Sequence, residues 1–283
     1  MLNEISNLDE LIAMALREDV GDGDHSTLAC IPSEALGKAK MVAKQPGILC
    51  GAEVGQRVFR IVNPQLNVTL LKHDGDTLQV GDMVMTVEGP AGSILTAERT
   101  ALNFMQRLSG IATATNRMVR MLDGLHTRLL DTRKTTPNMR LLEKYAVKCG
   151  GGTNHRIGLY DMVMLKDNHV DFAGGIEQAI DRTRHYLAAN GKALKIEIEV
   201  RNLEELERVM QHGGVDRIML DNFDIPTLRK AVERIGGKYE TEASGGITDA
   251  TLRPYAETGV DFISVGALTH HIKSLDLSLV SNF

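Results

Sequence analysis

The sequence predicts an α/β protein in which a small mixed α/β unit precedes a barrel of parallel strands. The main observation lies beyond residue 122, where short apolar runs typical of strands alternate with amphipathic stretches typical of helices. Such alternation is the pattern of parallel βα units, which form either a barrel or an open doubly wound sheet. No GxGxxG motif follows the first strand-like run, so the dinucleotide-binding signature is missing and a barrel is favoured.

The first hundred residues supply the second observation, a mixture of one helix, one loop and short strands. Residues 8–17 have apolar side chains at helical spacing, and the aspartates and glycines of residues 20–26 predict a loop. Residues 38–43 and 68–71 are strand-like. Residues 74–89 alternate turns and short β runs, as in a lipoyl- or biotinyl-carrier domain, but they contain no lysine to carry such a group, which favours a β scaffold.

A long helical stretch follows at residues 93–122, where apolar side chains recur at helical spacing. Gly110 divides this stretch, and glycine weakens a helix interior. We therefore predict that two helices meet at Gly110 and that the domain boundary lies there.

The second half contains six strand-like runs and four helical stretches. The strands are predicted at residues 127–130, 162–165, 195–200, 217–220, 239–243 and 261–265, and the helices at residues 176–189, 203–211, 225–235 and 250–258. A barrel places its chemistry at the carboxyl ends of its strands. The residues that follow each run are therefore the first candidates for a functional site.

Composition excludes several classes of protein. The chain has 283 residues, a net charge of −5 and only 4% aromatic residues, which argues against nucleic acid as the main partner. Residues 1–10 are acidic and polar, so we expect no signal peptide, and no apolar run approaches the ~20 residues of a membrane span. Three cysteines far apart in sequence exclude a paired disulfide framework and a CxxC metal site. We expect a cytoplasmic protein.

Positive charge is concentrated in one segment. Residues 99–169 contain 12 Lys and Arg against five Asp and Glu, in a chain whose total charge is negative. This distribution indicates a focused anion site, and solvated helix faces are the alternative for single charges.

Charged residues and glycines lie at the carboxyl ends of all six predicted strands. They are Asp131, Thr132, Arg133 and Lys134 after the first strand, Lys166 after the second, Glu197 and Glu199 within the third, Asp221 after the fourth, Ser244, Gly245 and Gly246 after the fifth, and Ser264 and Gly266 at the sixth. Together they are hard to explain by core packing.

Two glycine turns predict a phosphate site. The turn that contains Gly245 and Gly246 leads into a predicted helix, which we expect to start near Thr248 or Asp249. Glycines let backbone N–H groups approach an oxyanion, and a helix amino terminus favours negative charge. Gly266 supplies a second turn, and barrels often build phosphate sites from their last two loops. The alternative is a pair of ordinary βα turns.

Two carboxylates predict a ribose or metal site. Glu199 and Asp221 end neighbouring strands, where carboxylates accept hydrogen bonds from ribose hydroxyls or bind Mg²⁺, which prefers oxygen ligands. Glu197 has the same side-chain parity as Glu199 and either substitutes for it or lies deeper. A structural ion pair with Lys195 or Lys166 is the alternative.

A group of cations completes the candidate site. They are Arg99, Arg133, Lys134, His155, Arg156 and Lys166. A lone histidine is more often a structural residue, but His155 stands between a glycine run and an arginine, which favours anion binding. Clustered cations repel one another unless an anionic ligand arrives, so such a group is expected at a site and is unusual in a scaffold.

Seven segments together resemble the quinolinate phosphoribosyltransferase family. They are residues 97–103 (AERTALN), 107–113 (RLSGIAT), 131–135 (DTRKT), 151–156 (GGTNHR), 165–169 (LKDNH), 220–223 (LDNF) and 242–247 (EASGGI). The resemblance runs from residue 15 to the carboxyl terminus, and it leaves no functional position of the family unmatched.

The resemblance implies an amino-terminal α/β sandwich at residues 1–109, completed by the tail at residues 267–283, and an incomplete TIM-like barrel of fewer than eight strands at residues 110–266. It implies transfer of phosphoribosyl from 5-phosphoribosyl-1-pyrophosphate to quinolinate with decarboxylation, giving nicotinate mononucleotide, pyrophosphate and CO₂ for NAD biosynthesis. The expected cofactor is Mg²⁺, carried mainly by the pyrophosphate substrate, with no organic cofactor. The expected assembly is a homodimer, with a higher oligomer left open.

The resemblance also implies a role for each candidate residue. The basic pocket around quinolinate would consist of Arg133, Lys134, His155, Arg156 and Lys166, with Arg99 lent by the neighbouring subunit, and Thr132 would also bind substrate. Glu199 and Asp221 would hold the ribose hydroxyls, with Mg²⁺ on the pyrophosphate and a position near these two carboxylates left open. The 5-phosphate would lie in a cradle formed by Ser244, Gly245, Gly246, Ser264 and Gly266. Lys134, Glu199 and Asp221 are the expected catalytic residues.

Three alternatives stay open at this point. A paralogue of the kind found in metal-uptake operons would depart from the basic motifs. A nicotinate phosphoribosyltransferase accepts a mono-acid and would need fewer pocket cations. A non-enzymatic sugar-phosphate sensor would not need the carboxylate pair and the basic pocket together.

Overall fold

The computed structural model describes Ile5 and residues 7–282, so residues 1–4, 6 and 283 of the expected amino-terminal segment and tail lie outside the described residues. The chain divides into two compact units. The first comprises Met1–Asn116, Thr135–Gly151 and Leu268–Phe283, and the second comprises Arg117–Lys134 and Gly152–Ala267. No helix in the described part of the chain combines the length and the apolar character needed to cross a membrane.

Helices and strands alternate along most of the described chain. The helices are α1 (Leu8–Val20), α2 (His25–Cys30), α3 (Ala52–Val62), α4 (Ala91–Met121), α5 (Arg140–Cys149), α6 (Asp167–Ala173), α7 (Ile176–Ala189), α8 (Leu203–His212), α9 (Ile225–Ile235), α10 (Asp249–Ala256) and α11 (Ala267–His270). The strands are β1 (Leu36–Ala43), β2 (Gly47–Ile48), β3 (Asn67–Leu70), β4 (Thr77–Leu78), β5 (Met83–Pro90), β6 (Arg128–Leu130), β7 (Val163–Leu165), β8 (Ile196–Val200), β9 (Arg217–Asp221), β10 (Glu240–Ser244), β11 (Phe262–Ser264) and β12 (Leu277–Asn282).

The first unit is built on a four-stranded antiparallel sheet with the order β12-β1-β5-β3. Side chains alternate along β1, so Ala39, Met41 and Ala43 are buried on one face. Helix α3 packs closely on α4, because a Cβ atom on Gly55 would overlap the side chain of Met105. The carboxyl-terminal strand β12 pairs with β1 along its whole length.

The prediction that two helices meet at Gly110 is wrong, because α4 is continuous from Ala91 to Met121. Gly110 is needed for a close contact and not for a helix break. A Cβ atom there would lie only 2.5 Å from the carbonyl oxygen of Lys273. The glycine therefore lets the chain leading to β12 pass directly over the helix.

The predicted loop at residues 20–26 is shorter than expected. Helix α1 includes Val20 and helix α2 begins at His25, so only residues 21–24 are irregular. The carboxylate of Asp24 caps α2, since its Oδ1 atom accepts a hydrogen bond from the Thr27 N–H at 3.1 Å. One of the aspartates that predicted the loop therefore starts a helix.

The second unit is built on a six-stranded parallel sheet with the order β6-β11-β10-β9-β8-β7. Each of the six strands agrees with its predicted run to within one residue at either end, and α7 and α9 have the predicted bounds. Among the described residues no strand ladder joins β6 to β7, so the barrel is not closed. The predicted fold class, with fewer than eight barrel strands, is confirmed.

Candidate active site

The carboxyl ends of the six parallel strands lie at one edge of the sheet of the second unit. The sheet register pairs Ser244 with Asp221 across β10 and β9, and it pairs Ser264 with Leu130 across β11 and β6. Glu199 lies one residue before the end of β8. The residues that the sequence analysis placed at separate strand ends are thus brought to one edge.

The turn after β10 has a backbone conformation suited to glycine. The φ angle is +106° at Gly245 and +59° at Gly246. A Cβ atom on Gly245 would overlap the side-chain amide of Asn222 and would lie 2.9 Å from its backbone nitrogen. Helix α10 begins at Asp249 with Thr248 as its N-cap, as predicted. The turn therefore connects a crowded strand end to a helix amino terminus.

The side chain of Ser264 is directed into the protein. Ser264 is buried, and its proximity contributes to lowering the pKa of the carboxyl group of Glu242 on the neighbouring strand β10. The N–H of Val265 donates to the carbonyl oxygen of Leu130 at 3.0 Å, which fixes the start of the following turn. Gly266, in that turn, is partly exposed. Ser264 therefore lies at this edge with little of its side chain exposed.

Glu199 and Asp221 form a carboxylate pair at the ends of β8 and β9. Glu199 is partly buried, and burial followed by the negative charge of Asp221 raises the pKa of its carboxyl group. The Nζ atom of Lys166 lies 3.7 Å from Oε2 of Glu199, so one of the ion pairs considered as an alternative is present. Paired carboxylates of this kind attract a cation or the hydroxyl donors of a sugar.

Asn222 follows Asp221 at this strand end, and no functional role was predicted for it from the sequence. Its φ angle is +55°, in the left-handed region that asparagine tolerates better than most residues. Its side-chain amide donates to Oδ2 of Asp221 at 2.6 Å, and its backbone N–H donates to the carbonyl oxygen of Ser244 at 2.9 Å. Asn222 therefore ties the carboxylate pair to the glycine turn. The available signal was an asparagine directly after a strand.

Asp131 organises the segment that carries two of the cations. Its buried carboxylate accepts hydrogen bonds from the side-chain amide of Asn154 at 2.6 Å and from the N–H of His155 at 2.8 Å. A parallel bridge between Leu130 and Thr153 holds the same segment beside β6. The loop that bears His155 and its neighbour is thus fixed to the strand end by backbone and side-chain contacts.

Arg133 and Arg156 lie close enough for their charges to interact. Burial lowers the pKa of Arg156, and the charge of Arg133 lowers it further. Nη1 of Arg156 donates to the carbonyl oxygen of Met162 at 3.2 Å. Lys134 is exposed, and its backbone N–H donates to Oγ1 of Thr132 at 3.0 Å. This concentration of positive charge favours an anionic ligand.

Arg99 lies on α4, in the stretch of that helix that belongs to the first unit, and its side chain is exposed. Its role across a subunit interface stays a prediction.

His155 is buried among charged groups of the second unit. Its Nε2 atom lies 3.0 Å from Oε2 of Glu197 and 3.2 Å from Oε2 of Glu242. Arg217 donates to Oε2 of Glu242 at 3.1 Å and packs 4.1 Å from the ring centroid of Phe262. Both glutamates are fully buried, so Glu197 lies deeper than its neighbour two residues along β8. Arg217 and Glu242 were not identified from the sequence as partners of His155, and no local pattern joins the three residues.

The buried charges determine the protonation of His155. Burial by itself would lower the pKa of His155, but Glu197 and Glu242 outweigh it and raise the pKa to about 9. Burial and then the charge of Glu242 raise the pKa of Glu197 to about 7. The N–H of Arg156 points at Nδ1 of His155 at 2.7 Å, which opposes protonation of that atom. The two carboxylates stabilise a protonated ring by more than the single contact at Nδ1 opposes it. We therefore assign His155 as the imidazolium.

Known proteins resemble the chain over nearly its whole length. Models of the N-terminal and C-terminal domains of quinolinate phosphoribosyl transferase match residues 24–109 and 111–280. The chloroplastic nicotinate-nucleotide pyrophosphorylase (carboxylating) of Oryza sativa subsp. japonica is 45% identical, over 96% of this chain and 77% of that protein. The probable nicotinate-nucleotide pyrophosphorylase (carboxylating) of Bacillus subtilis is 43% identical, over 96% of this chain and 92% of that protein.

Solved structures give the same result. The nicotinate-nucleotide pyrophosphorylase from Francisella tularensis superposes with a TM-score of 0.92 at 40% identity, over 97% of this chain and 96% of that chain. With two matching domain models and relatives of more than 40% identity, the chain belongs to the quinolinate phosphoribosyltransferase family.

Proposed function

We propose that the carboxyl ends of β6 to β11 bind and orient both substrates of the reaction that defines this family. As a quinolinate phosphoribosyltransferase, the chain transfers phosphoribosyl from 5-phosphoribosyl-1-pyrophosphate to quinolinate with decarboxylation. The products are nicotinate mononucleotide, pyrophosphate and CO₂, and the reaction belongs to NAD biosynthesis. The observation that supports our assignment is the presence of a cation group, a carboxylate pair and two glycine turns at one sheet edge.

We assign the two carboxylates of quinolinate to the cation group. Arg133, Lys134, Arg156 and Lys166 are its members, and the pKa of Arg156 is lowered by burial and by the charge of Arg133. A bound dianion would relieve this repulsion, which is a source of affinity. His155 supports the group through its place next to Arg156, because its buried Nε2 atom already faces Glu197 and Glu242.

We assign the 5-phosphate to the two glycine turns. The first turn, at Ser244, Gly245 and Gly246, leads into α10, and a helix amino terminus with close backbone N–H groups favours an oxyanion. The second turn contributes Gly266 and the backbone of Ser264.

We assign the ribose to Glu199 and Asp221. Their carboxylates accept hydrogen bonds from ribose hydroxyls, and they also fit Mg²⁺, which prefers carboxylate oxygens. The raised pKa of Glu199, caused by burial and by the charge of Asp221, indicates negative charge that a cation would stabilise. When bound with pyrophosphate, Mg²⁺ would offset the charge of the leaving group.

The proposed chemistry follows from these positions. Loss of pyrophosphate builds positive charge on the ribose ring, which Glu199 and Asp221 stabilise electrostatically. The cation group holds quinolinate so that its ring nitrogen attacks the anomeric carbon in line, a positioning effect. The new positive charge on the pyridine ring then stabilises the carbanion left when the adjacent carboxylate departs as CO₂.

We further propose a homodimer in which Arg99 of one subunit completes the site of the other. Arg99 is exposed, and no ion pair among the described residues includes it, so its charge is available to a ligand. Mixing two inactive variants, Arg99→Ala and Lys134→Ala, tests this arrangement. Activity regained on subunit exchange supports the shared site, and no recovery after proven exchange contradicts it.

We also propose a cytoplasmic location for the protein, and cell fractionation tests it.

The role of the cation group is tested by Lys134→Ala. We expect kcat/KM to fall on the order of 100-fold, because a positioned charge in the site is lost. Lys230→Ala is the matched control, since Lys230 is an exposed lysine on α9 of the same unit. Near-native kinetics of a folded Lys134→Ala protein would remove Lys134 from the mechanism.

A further inference from the structure

We propose that the first unit carries a binding site for a thiophilic divalent metal ion, with Zn²⁺ as the natural occupant, formed by Cys50, Asp74 and Cys149. The two sulfur atoms and a carboxylate oxygen all lie within 4.8 Å of one another. A tetrahedral Zn²⁺ ion, with bonds of about 2.3 Å to sulfur and about 2.0 Å to oxygen, places such ligands about 3.5–4 Å apart. Small side-chain movements would therefore close this cluster around an ion.

The three ligands come from segments far apart in sequence. Cys50 follows β2, Asp74 lies between β3 and β4, and Cys149 is the last residue of α5. The cluster lies in the first unit and takes no part in the proposed catalysis. The backbone of Cys50 is fixed from both sides, since its N–H donates to Oγ of Ser109 at 2.9 Å and its carbonyl accepts from the same hydroxyl at 3.1 Å.

The carboxylate of Asp74 is oriented in the way that metal-binding carboxylates usually are. One oxygen accepts a hydrogen bond from the N–H of Ala52 at 2.8 Å, and the other accepts one from the hydroxyl of Tyr145 at 2.8 Å. Each oxygen keeps a second lone pair for an ion. No ion pair in the described part of the chain includes Asp74, so its negative charge lacks a cationic partner.

Both thiols must lose a proton to bind an ion. A hydrogen bond from Cys50 lowers the pKa of Cys149, whereas burial raises the pKa of Cys50, so the ion itself has to displace the proton of Cys50. The bound ion would replace the protons of both thiols, so binding releases two protons and leaves the ion with two thiolates and one carboxylate. Thiolate ligands select Zn²⁺ over Mg²⁺. Asp74 and Cys149 are partly exposed, which leaves a route for the ion and room for water as a fourth ligand.

Cobalt provides a direct test, because tetrahedral Co²⁺ bound to thiolates absorbs in a characteristic charge-transfer band. The full-length protein is reduced, freed of metal with a chelator, and titrated with Co²⁺. We expect the band to saturate at one ion per chain, with two protons released per ion, and to disappear when Zn²⁺ is added. Cys50→Ser and Cys149→Ser should lose the band, and Cys30→Ser should keep it, since Cys30 is exposed and outside the cluster. Tyr145→Phe should weaken Co²⁺ binding by about 10–100-fold.

Three results would overturn the proposal. The first is absence of the band in folded protein whose three thiols all react with a thiol reagent after unfolding. The second is a band of equal strength in Cys149→Ser, a variant at a partly exposed position that avoids the buried Cys50. The third is a single reactive thiol in protein unfolded without reductant, which would assign Cys50 and Cys149 to a disulfide.

Discussion

The Nε2 atom of His155 lies 3.0 Å from a carboxylate oxygen of Glu197, and both side chains are buried in the second unit. The pair links the loop that bears Arg156 to the middle of β8. Because Arg217 and Glu242 join the same group, opposite charges face each other inside the protein. Arg156, which directly follows His155, is thus held next to an internal ion-pair network.

Replacing His155 with Gln should destabilise the protein most below about pH 6.5. The pKa of His155 is raised to about 9 in the folded state, so its stabilising contribution is complete below the unfolded pKa and is lost as pH rises through 9. The shift corresponds to about 3 kcal/mol. Chemical denaturation of both proteins at about pH 6 and about pH 9.5 measures the difference. An equal loss of unfolding free energy at both pH values would contradict the assignment.

Glu197 and Glu199 should respond differently to replacement by Gln. Glu199 is partly exposed in the carboxylate pair, so Glu199→Gln should lower kcat on the order of 100-fold with little change in the free energy of unfolding. Glu197→Gln removes a buried partner of His155 and should cost about 3 kcal/mol of stability. Steady-state kinetics and denaturation of each variant give the comparison. Equal changes in kcat and in the free energy of unfolding for the two variants would contradict this prediction.

Gly245→Ala should impair the binding of 5-phosphoribosyl-1-pyrophosphate. The new Cβ atom would overlap Asn222 and disturb the contact between the carboxylate pair and the glycine turn. We expect kcat/KM to fall on the order of 100-fold, mainly through KM for this substrate. Gly237→Ala is the control, because Gly237 also has a positive φ of +75° but faces open space. If Gly245→Ala and Gly237→Ala have the same kcat/KM, the overlap with Asn222 does not impair substrate binding, and this prediction is wrong.

Gly110→Ala should destabilise the protein although alanine is the better helix former. The helix preference favours alanine by about 1 kcal/mol, but the added Cβ atom would lie 2.5 Å from the carbonyl oxygen of Lys273. Overpacking of this kind costs about 1–3 kcal/mol, so the net change should be a loss of stability. Thermal unfolding monitored by circular dichroism measures it. A higher melting temperature would contradict this, because it would show that the segment around Lys273 shifts to accommodate the Cβ atom without loss of stability.

The six strands of the second unit and most of its helices could be predicted because their signals are local. Apolar runs mark β6 to β11, and helical spacing marks α7 and α9, so no long-range information was needed. Helix α6 of the second unit and helix α5 of the first unit were not predicted. Helix α6 closely follows a strand and has only seven residues. Helix α5 has a largely polar face and ends at a run of glycines, where the pattern resembles a loop.

The contacts that depend on tertiary structure could not be read from the chain. In the sequence, Gly110 resembles a helix break, but in the structure it allows the close approach of Lys273. No sequence pattern indicates that these two residues are in contact. Arg217 and Glu242 meet only because β9 and β10 are neighbours in the sheet. Cys50 and Cys149 are brought together by β2 and α5, which the sequence shows as unrelated segments.

The most direct measurement is the release of labelled CO₂ from carboxyl-labelled quinolinate by the purified protein. We expect release that requires 5-phosphoribosyl-1-pyrophosphate, falls sharply when a chelator removes Mg²⁺, and is accompanied by nicotinate mononucleotide in equal amount. If folded, dimeric protein releases no CO₂ with both substrates and Mg²⁺ present, the proposed function is wrong.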